Sequence, residues 1–516
     1  MKEVMSHISR RTGIIGFFTL LSRILGLLRD SVLAYAFGAT AMADAFYVAF
    51  RIPNLLRRLV AEGSLTVAFV PIYTEWLRKS RESGREAASV VFSVLTLFLT
   101  LLVIFGILFA PWIVQLIARG FSDDPQTFTL TVYLTRLMFP YIFFISLVAL
   151  AMGVLNSLKR FVATSASPIV LNVGIIFGAL LLRHFFDLPV VGVAVGVLLG
   201  GVLQLAMQIP SLRKEGMLPR FDVRLRHPAL KGLLLLMIPS AIGAAVYQIN
   251  VLVITRFASY LPEGSVSYLW YADRVAEFPL GVFGLALATA ILPTLSDHAV
   301  DQDREAFVET MNYGLRLTFL ITIPASVGLY ILAEPIVALL FERGVFDVTA
   351  TKATAAALLF FAIKIPFLSA VRNIAGGFFA LKDAKTPVVV SVFAVAVNAL
   401  AALWLMKTFA HVGLAAALAI SSAFNFFLLL YLFRRKMGLI GGRKLLSSLG
   451  KTLLASFIMG SVLLLGEKFF GTPYGISLIL FILVGMGVFF VAAKLIHPEE
   501  FSALMAIIRR KQKMHV

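Results

Sequence analysis

The residues in this chain whose type and spacing could do chemistry are mostly arginines set in apolar sequence. Ser22, Arg23, Gly26, Arg29 and Asp30 interrupt one such run. At about 100° per residue they fall within an arc of about 120°, a single polar stripe with a gap at Gly26 where a ligand or a backbone can approach. Asp44, Arg51 and Arg58 follow at intervals of seven, with Glu62 four beyond Arg58 and Arg57 roughly 100° to the side. Asp273, Arg274 and Glu277 share an arc of about 100° just before Pro279. An ionisable side chain at mid-bilayer costs about 2.5 to 3.5 kcal/mol even on the milder insertion scale, so those retained there are functional by default. The strong cations are all arginine, whose guanidinium binds phosphate bidentately and keeps its charge when desolvated. Such a set suits a phosphorylated or polyanionic substrate. Asp30, Asp44, Glu62, Asp273 and Glu277 then orient arginines or lock one conformation.

Plainer readings compete. Arg29 can snorkel outward and pair with Asp30, and Arg57 and Arg58 can reach a membrane surface. Asp273 and Glu277 can simply compensate Arg274. Arg23 is harder to dismiss, since it lies some ~18 Å along its helix. Of the other cations, Lys364 and Arg372 are read as cavity residues, and Arg136, Arg256 and Arg316 as residues that snorkel from helix ends.

The elements that position these groups are membrane helices. Of 516 residues, 60% are hydrophobic and 14% charged, against about 25% charged in a soluble domain. Apolar runs long enough to cross ~30 Å of hydrocarbon recur throughout. We read fourteen spans, near 12–37, 42–76, 87–117, 128–156, 162–182, 189–210, 231–260, 266–295, 306–333, 349–381, 387–406, 412–433, 446–466 and 474–496. The fold class is an all-α polytopic membrane protein. Lys and Arg outside the spans favour one side by roughly five to one, which places both termini in the cytoplasm. The net charge of +19 is explained mostly by this topology, and nucleic acid is not expected as a partner. The run after Arg10 and Arg11 is too long, and too charged at Arg23, Arg29 and Asp30, for a signal peptide. Cysteine is absent and all seven histidines fall in loops or tails. Thiolate chemistry, a His metal set and a His general base are therefore excluded.

Two halves echo each other at an offset of about 220 residues, a weak symmetry common in transporters. Ala68-Phe69-Val70-Pro71 matches Ala290-Ile291-Leu292-Pro293, Ser167-Pro168-Ile169-Val170 matches Thr386-Pro387-Val388-Val389, and Arg51 matches Arg274 in order. This predicts an N-lobe over 1–210, a basic cytoplasmic linker over 211–230, a C-lobe over 231–434, and a last pair of spans with a basic tail over 435–516. The two six-helix lobes enclose a central cationic cavity. Gly192, Gly196 and Gly200 form a small-residue ridge, read as close helix packing rather than a hinge.

In these stretches the sequence resembles the MurJ (MviN) family of lipid II flippases, within the multidrug/oligosaccharidyl-lipid/polysaccharide exporter superfamily. The resemblance rests on Ser22-Arg23-Ile24-Leu25-Gly26-Leu27-Leu28-Arg29-Asp30, Asp44-Ala45-Phe46, Pro53-Asn54-Leu55-Leu56-Arg57-Arg58 with Glu62-Gly63, and Tyr271-Ala272-Asp273-Arg274 with Glu277-Phe278-Pro279. It implies a flippase of the bacterial cytoplasmic membrane that works by alternating access. The substrate implied is an undecaprenyl-pyrophosphate-linked disaccharide pentapeptide, its pyrophosphate held by cavity arginines. The positions matching essential family residues are Arg23, Arg29, Asp44, Arg57 and Arg274, supported by Ser22, Gly26 and Glu62. It also implies contact with membrane lipids, a groove for the polyprenyl tail on the last two spans, and cell-wall synthases as partners. No cofactor is expected. The coupling cation stays unassigned, because spans eleven and twelve offer only Asn398 and Asn425, without the acids of the family's cation site, and span seven adds Asn250.

Rival classes fit less well. A drug exporter for cations calls for intramembrane carboxylates rather than arginines. An integral-membrane enzyme acting on polyprenyl phosphates needs loop acids, a metal site or a nucleophile, and the loops are short. Gly450-Lys451-Thr452 lacks the first glycine of a P-loop and precedes a span, which argues against a nucleotide-driven pump. An exporter of another polyprenyl-pyrophosphate-linked glycan is the nearest alternative.

Overall fold

The computed structural model describes residues 2–58, 65–280, 285–502 and 505; the side chains of 2–15, 66, 67, 239–244, 247 and 285–290 are also outside the description. Glu62 and Gly63 therefore lie outside the described residues. Among these residues there are helices and no strands. Backbone groups in hydrocarbon must be satisfied within their own segment, and helices achieve that. The helices are α1 (Lys2–Phe37), α2 (Ala41–Leu56), α3 (Thr66–Lys79), α4 (Arg81–Leu108), α5 (Ala110–Ile117), α6 (Pro125–Met138), α7 (Tyr141–Ser157), α8 (Val162–Leu180), α9 (Pro189–Lys214), α10 (Pro228–Ala258), α11 (Ser265–Pro279), α12 (Leu285–Val300), α13 (Arg304–Ile331), α14 (Ala333–Phe341), α15 (Val348–Ala380), α16 (Lys385–Met437), α17 (Gly442–Phe470) and α18 (Ile476–Ile496). Nine helical segments among the described residues are long and apolar enough to cross a membrane.

Several expected spans are broken where the chemistry requires it. The span over 87–117 divides at Phe109, with Pro111 in the first turn of α5, where its missing N–H costs nothing. The span over 128–156 divides at Phe139 and Pro140 for the same reason. Conversely α16 joins two expected spans across Ala410, whose φ of 46° and ψ of −130° turn the chain. Ser421 Oγ donates to the Ala394 carbonyl at 2.6 Å, whereas 27 residues of straight helix would span ~40 Å. The element is thus a helical hairpin, as the spans 387–406 and 412–433 require.

By internal packing the chain forms two compact units, Met1–Ser267 with Arg343–Phe346, and Tyr268–Glu342 with Asp347–Val516. The division falls after Ser267 rather than in the 211–230 linker, because α10 packs on α3, α4 and α5 of the first unit. The linker itself lies along α4: the backbone N–H groups of Arg220 and Asp222 donate to Ser89 Oγ and Ser93 Oγ at 3.0 and 2.6 Å. Arg224 joins Asp222 to Glu86, and Trp76 packs on His227. In the first unit the core gathers Leu65, Phe69, Tyr73, Val91 and Leu150. The glycine ridge of α9 meets α8 so closely that a Cβ on Gly178 would lie 2.6 Å from the Gly192 carbonyl oxygen, and one on Gly174 2.7 Å from that of Gly196. Close packing is the role of this ridge. In the second unit Phe307, Phe378, Phe426 and Phe433 build one cluster, and Met459, Leu463, Leu478 and Phe489 join α17 to α18 in another.

The repeat is visible in bond-for-bond detail. In the first unit α7 ends with Lys159 at φ 61° and Arg160 N–H donating to the Leu155 carbonyl at 2.8 Å. In the second, α15 ends with Lys382 at φ 59° and Asp383 N–H donating to the Phe378 carbonyl at 2.8 Å. Each following residue then pairs with the end of the helix that closes its half, Arg160 with Glu215 at 2.7 Å and Asp383 with Lys436 at 2.6 Å. The ion pair is duplicated with its polarity reversed.

Candidate functional site

In the first unit the polar stripe of α1 faces α8. Arg29 is buried, and its guanidinium donates to both oxygens of Asp30, Nη2 at 2.8 and 2.9 Å and Nε to Oδ1 at 3.0 Å. Its Nη1 donates to Asn172 Oδ1 at 3.0 Å, and Asn172 Nδ2 donates to the Ser22 carbonyl at 3.1 Å. Asp30 is only 1% exposed. An ion so placed is tolerated because its charge and donors are matched locally. The pairing of Arg29 with Asp30 is correct, but it is directed inward, against the snorkelling reading. The gap at Gly26 adjoins the same amide, since a Cβ there would sit in ordinary contact, 3.8 Å from Asn172 Nδ2. Arg23, one stripe position earlier, is half-buried and makes no ion pair among the described residues.

On α2, Arg51 donates through Nη1 to Thr255 Oγ1 of α10. Arg57 and Arg58 are half-buried where α2 gives way to a π-type turn. Asp44, 3% exposed, pairs with no arginine here. Its Oδ2 accepts from Gly264 N–H at 2.8 Å, and its Oδ1 accepts from the N–H and hydroxyl of Ser267 at 2.8 and 2.5 Å. It thereby caps the start of α11, satisfying N–H groups that the helix cannot. Ala41 N–H, at the start of α2, donates in turn to Glu263 Oε1 at 2.6 Å.

In the second unit Arg274 donates to Glu277 Oε2 at 2.7 Å, and its guanidinium lies 4.6 Å above the Trp270 ring. The indole face stabilises the cation while its outer surface stays about a quarter exposed. Lys364 Nζ donates to Asp273 Oδ1 at 3.1 Å and rests over Phe361 at 4.3 Å. Glu277 thus compensates Arg274, whereas Asp273 serves Lys364. Arg316, read from sequence as a snorkelling residue, instead pairs with Glu500 at 2.5 Å.

Spacing finds the arginines and two of their acidic partners, Asp30 for Arg29 and Glu277 for Arg274. It does not find Asn172, Thr255 and Trp270 beside the arginines, or Glu263 and Ser267 beside Ala41 and Asp44. Asn172 carried a usable signal, an amide in an otherwise apolar span. The others are ordinary loop or helix-end residues whose role depends on contacts distant in sequence.

This arrangement has close relatives. The sequence model of the family described as "Lipid II flippase MurJ" matches residues 33–485. The chain is similar to the lipid II flippase MurJ of Burkholderia cenocepacia, 40% identical over 427 residues covering 82% of this chain and 83% of that one. It is 37% identical to the probable lipid II flippase MurJ of Haemophilus influenzae over 465 residues, covering 86% and 89% of the two chains. Among solved structures it matches a lipid II flippase MurJ in an inward closed conformation with a TM-score of 0.80 and 28% identity, over 94% of this chain and 99% of that one. An inward-facing multidrug transporter of the MATE family matches at a TM-score of 0.67 and 16% identity, over 81% of this chain and 95% of that one, and so shares the fold. With the family pattern matched over residues 33–485 and a relative 40% identical over most of both chains, the chain belongs to the MurJ family of lipid II flippases.

Proposed function

We propose that this protein carries lipid II, the undecaprenyl-pyrophosphate-linked peptidoglycan precursor, from the cytoplasmic to the periplasmic leaflet of the inner membrane by alternating access. It crosses the bilayer fourteen times with both termini in the cytoplasm and acts as a secondary-type transporter rather than an enzyme. The observation that carries this reading is Arg23, a half-buried guanidinium within α1 that no acid of the described residues neutralises. A permanent cation in that setting is matched by an anion from outside the chain, and a pyrophosphate supplies one with the geometry that guanidinium favours. Arg29, Arg57 and Arg274, with Ser22, Gly26, Arg51 and Arg58, complete the substrate-binding set. Asp30, Asp44, Glu62, Asp273 and Glu277 hold conformation and charge balance. Cell-wall synthases are the partners expected to receive the product.

The test is depletion of the protein in cells, with a probe that reports which membrane face holds lipid II. Accumulation at the cytoplasmic face, reversed by the wild-type chain and not by Arg23→Ala, is expected. Unchanged sidedness on depletion would exclude the function. Accumulation of a different polyprenyl-pyrophosphate-linked glycan would redirect it to that substrate.

A further inference from the structure

The corner where α7 turns into α8 contains a cavity of about 270 Å³ that the arginine stripe does not explain. Lys159, Arg160, Ser211 and Lys214 supply its polar wall, Phe161, Val162 and Ala163 its apolar wall, and Glu215 lies between. Glu215 is already engaged: Arg160 Nε donates to its Oε1 at 2.7 Å, and Arg81 donates to its carbonyl oxygen at 2.9 Å. With one carboxylate shared by Arg160 and Arg81, Lys159 and Lys214 remain in excess. No ion pair of either is present among the described residues.

Lys159 closes the α7 cap at φ 61°, a left-handed position that glycine fills without strain and a lysine does not. The equivalent corner of the second unit makes a useful internal contrast: it keeps the left-handed Lys382 but has Asp383 in place of Arg160, and that acid takes up Lys436.

We infer that the cavity at Lys159 and Lys214 is a binding site for the phosphodiester headgroup of an anionic membrane phospholipid, with Phe161, Val162 and Ala163 meeting its glycerol and upper acyl chain. The basic wall compensates the phosphate, the apolar wall suits the adjoining hydrocarbon, and both flank the ends of helices long and apolar enough to cross a membrane. The placement in the cytoplasmic leaflet rests on the orientation proposed above; binding itself does not require transport.

The test measures binding of phosphatidylglycerol and phosphatidylcholine to the full-length protein in detergent, by thermal stabilisation and by retention in native mass spectrometry. Inorganic phosphate is the third probe. Lys159→Gly removes the charge while relaxing the turn, so a loss in that variant cannot be assigned to misfolding. We expect selective stabilisation by phosphatidylglycerol, weakened about fivefold by Lys159→Gly and about thirtyfold by Lys159→Gly with Lys214→Ala, restored by Lys159→Arg and unaffected by Lys382→Gly. Equal stabilisation by both lipids, or wild-type affinity in the double variant, would overturn the site. Competition by inorganic phosphate at the lipid's own concentration would make it a free-phosphate site instead. Because lipid II transport is assayed separately, loss of transport with phosphatidylglycerol binding intact would count against the flippase reading alone.

Discussion

Asp44 and Glu263 cap each other's helices. The carboxylate near the start of α2 accepts from the backbone at the start of α11, and the carboxylate just before α11 accepts from the first N–H of α2. Two helix ends far apart in sequence are therefore fastened by reciprocal charge-assisted bonds. The Asp44 half is buried and makes three bonds, while the Glu263 half is exposed and makes one.

Asp44→Ala should accordingly destabilise the protein by about 2 to 3 kcal/mol, because it leaves the N–H groups of Gly264 and Ser267 unsatisfied in a buried place. Glu263→Ala should cost about 1 kcal/mol, the usual size of a lost cap, and Ser267→Ala still less, since only the hydroxyl bond goes. Melting in detergent ranks the three. Equal effects for Asp44→Ala and Glu263→Ala would show that burial does not set the difference.

Arg23 and Arg29 lie on one stripe and should fail differently. Arg29→Ala takes the paired arginine from a buried Asp30, so stability and transport should both fall, and Asp30→Asn added to it should return part of the stability but not the transport. Arg23→Ala removes a cation with no acidic partner among the described residues. It should leave melting unchanged while transport drops by thirtyfold or more, the loss of about 2 kcal/mol of charged contact. Lysine should rescue poorly at either position, lacking the bidentate fork. Complementation of a depletion strain by Arg23→Ala would remove it from the binding set.

The contrast shows where sequence reasoning reached and where it stopped. A period of 3.6 is enough to gather Ser22, Arg23, Gly26, Arg29 and Asp30 onto one face, because those positions are fixed by the helix alone. Nothing local announces that Asn172 completes that face from 143 residues away, or that Asp44 serves two backbone N–H groups rather than an arginine. Arg316 looked like a helix-end cation for the same reason: its partner Glu500 is 184 residues distant. Spans were legible from hydropathy, but the breaks at Phe109 and Pro140 and the hairpin at Ala410 depend on proline geometry and tertiary packing. The repeat was legible in its proline motifs, and its reversed ion pairs Arg160–Glu215 and Asp383–Lys436 emerge only when the two corners are compared.

Asp273 and Lys364 form an ion pair beside that of Arg274 with Glu277. Lys364→Met and Asp273→Asn should each impair transport severalfold, and together no more than the worse of the two, since each alone leaves its partner's charge unmatched. Substrate binding should survive Asp273→Asn. Elimination of binding by Asp273→Asn as complete as that by Arg274→Ala would assign Asp273 to the substrate.

The segment after α18 is tied down by a polar cluster outside the spans. His497 contacts Glu500 through Nδ1 and Ser448 Oγ through Nε2 at 2.9 Å, and Glu500 receives Arg316. Burial holds the His497 pKa below its ordinary 6.5. The unfolded chain then binds its proton first as pH falls, so stability should decline on acidification through about 6.5 and below. Melting between pH 7.5 and 5.5 should show that slope for the wild type and a flatter one for His497→Gln. Glu500→Gln should lower stability across the whole range by removing the charge that a half-buried Arg316 pairs with. An unchanged slope in His497→Gln would place the titration elsewhere.

If the protein works by alternating access and opens where α2 meets the start of α11, that fastening loosens during the cycle, and holding it permanently should stop transport. The chain has no cysteine, so introduced pairs report cleanly. Gly38, just past expected span one, is unsuitable for a cysteine: it sits at φ 59°, and a Cβ there would lie 2.7 Å from the Val345 carbonyl oxygen. Thr40 and Glu263 are better placed, since Ala41 N–H already reaches the Glu263 carboxylate. Thr40→Cys with Glu263→Cys, joined through two disulfides by a short bis-methanethiosulfonate reagent that releases methanesulfinate, should abolish delivery of lipid II to the periplasmic face and recover it on reduction. Each single variant treated with the same reagent should transport at close to the untreated rate, allowing for the modest cost of losing the Glu263 cap. A joined protein that delivers lipid II at the normal rate would rule out opening at this point. The substrate's path would then run along a surface groove, with the headgroup sliding past helices that do not part.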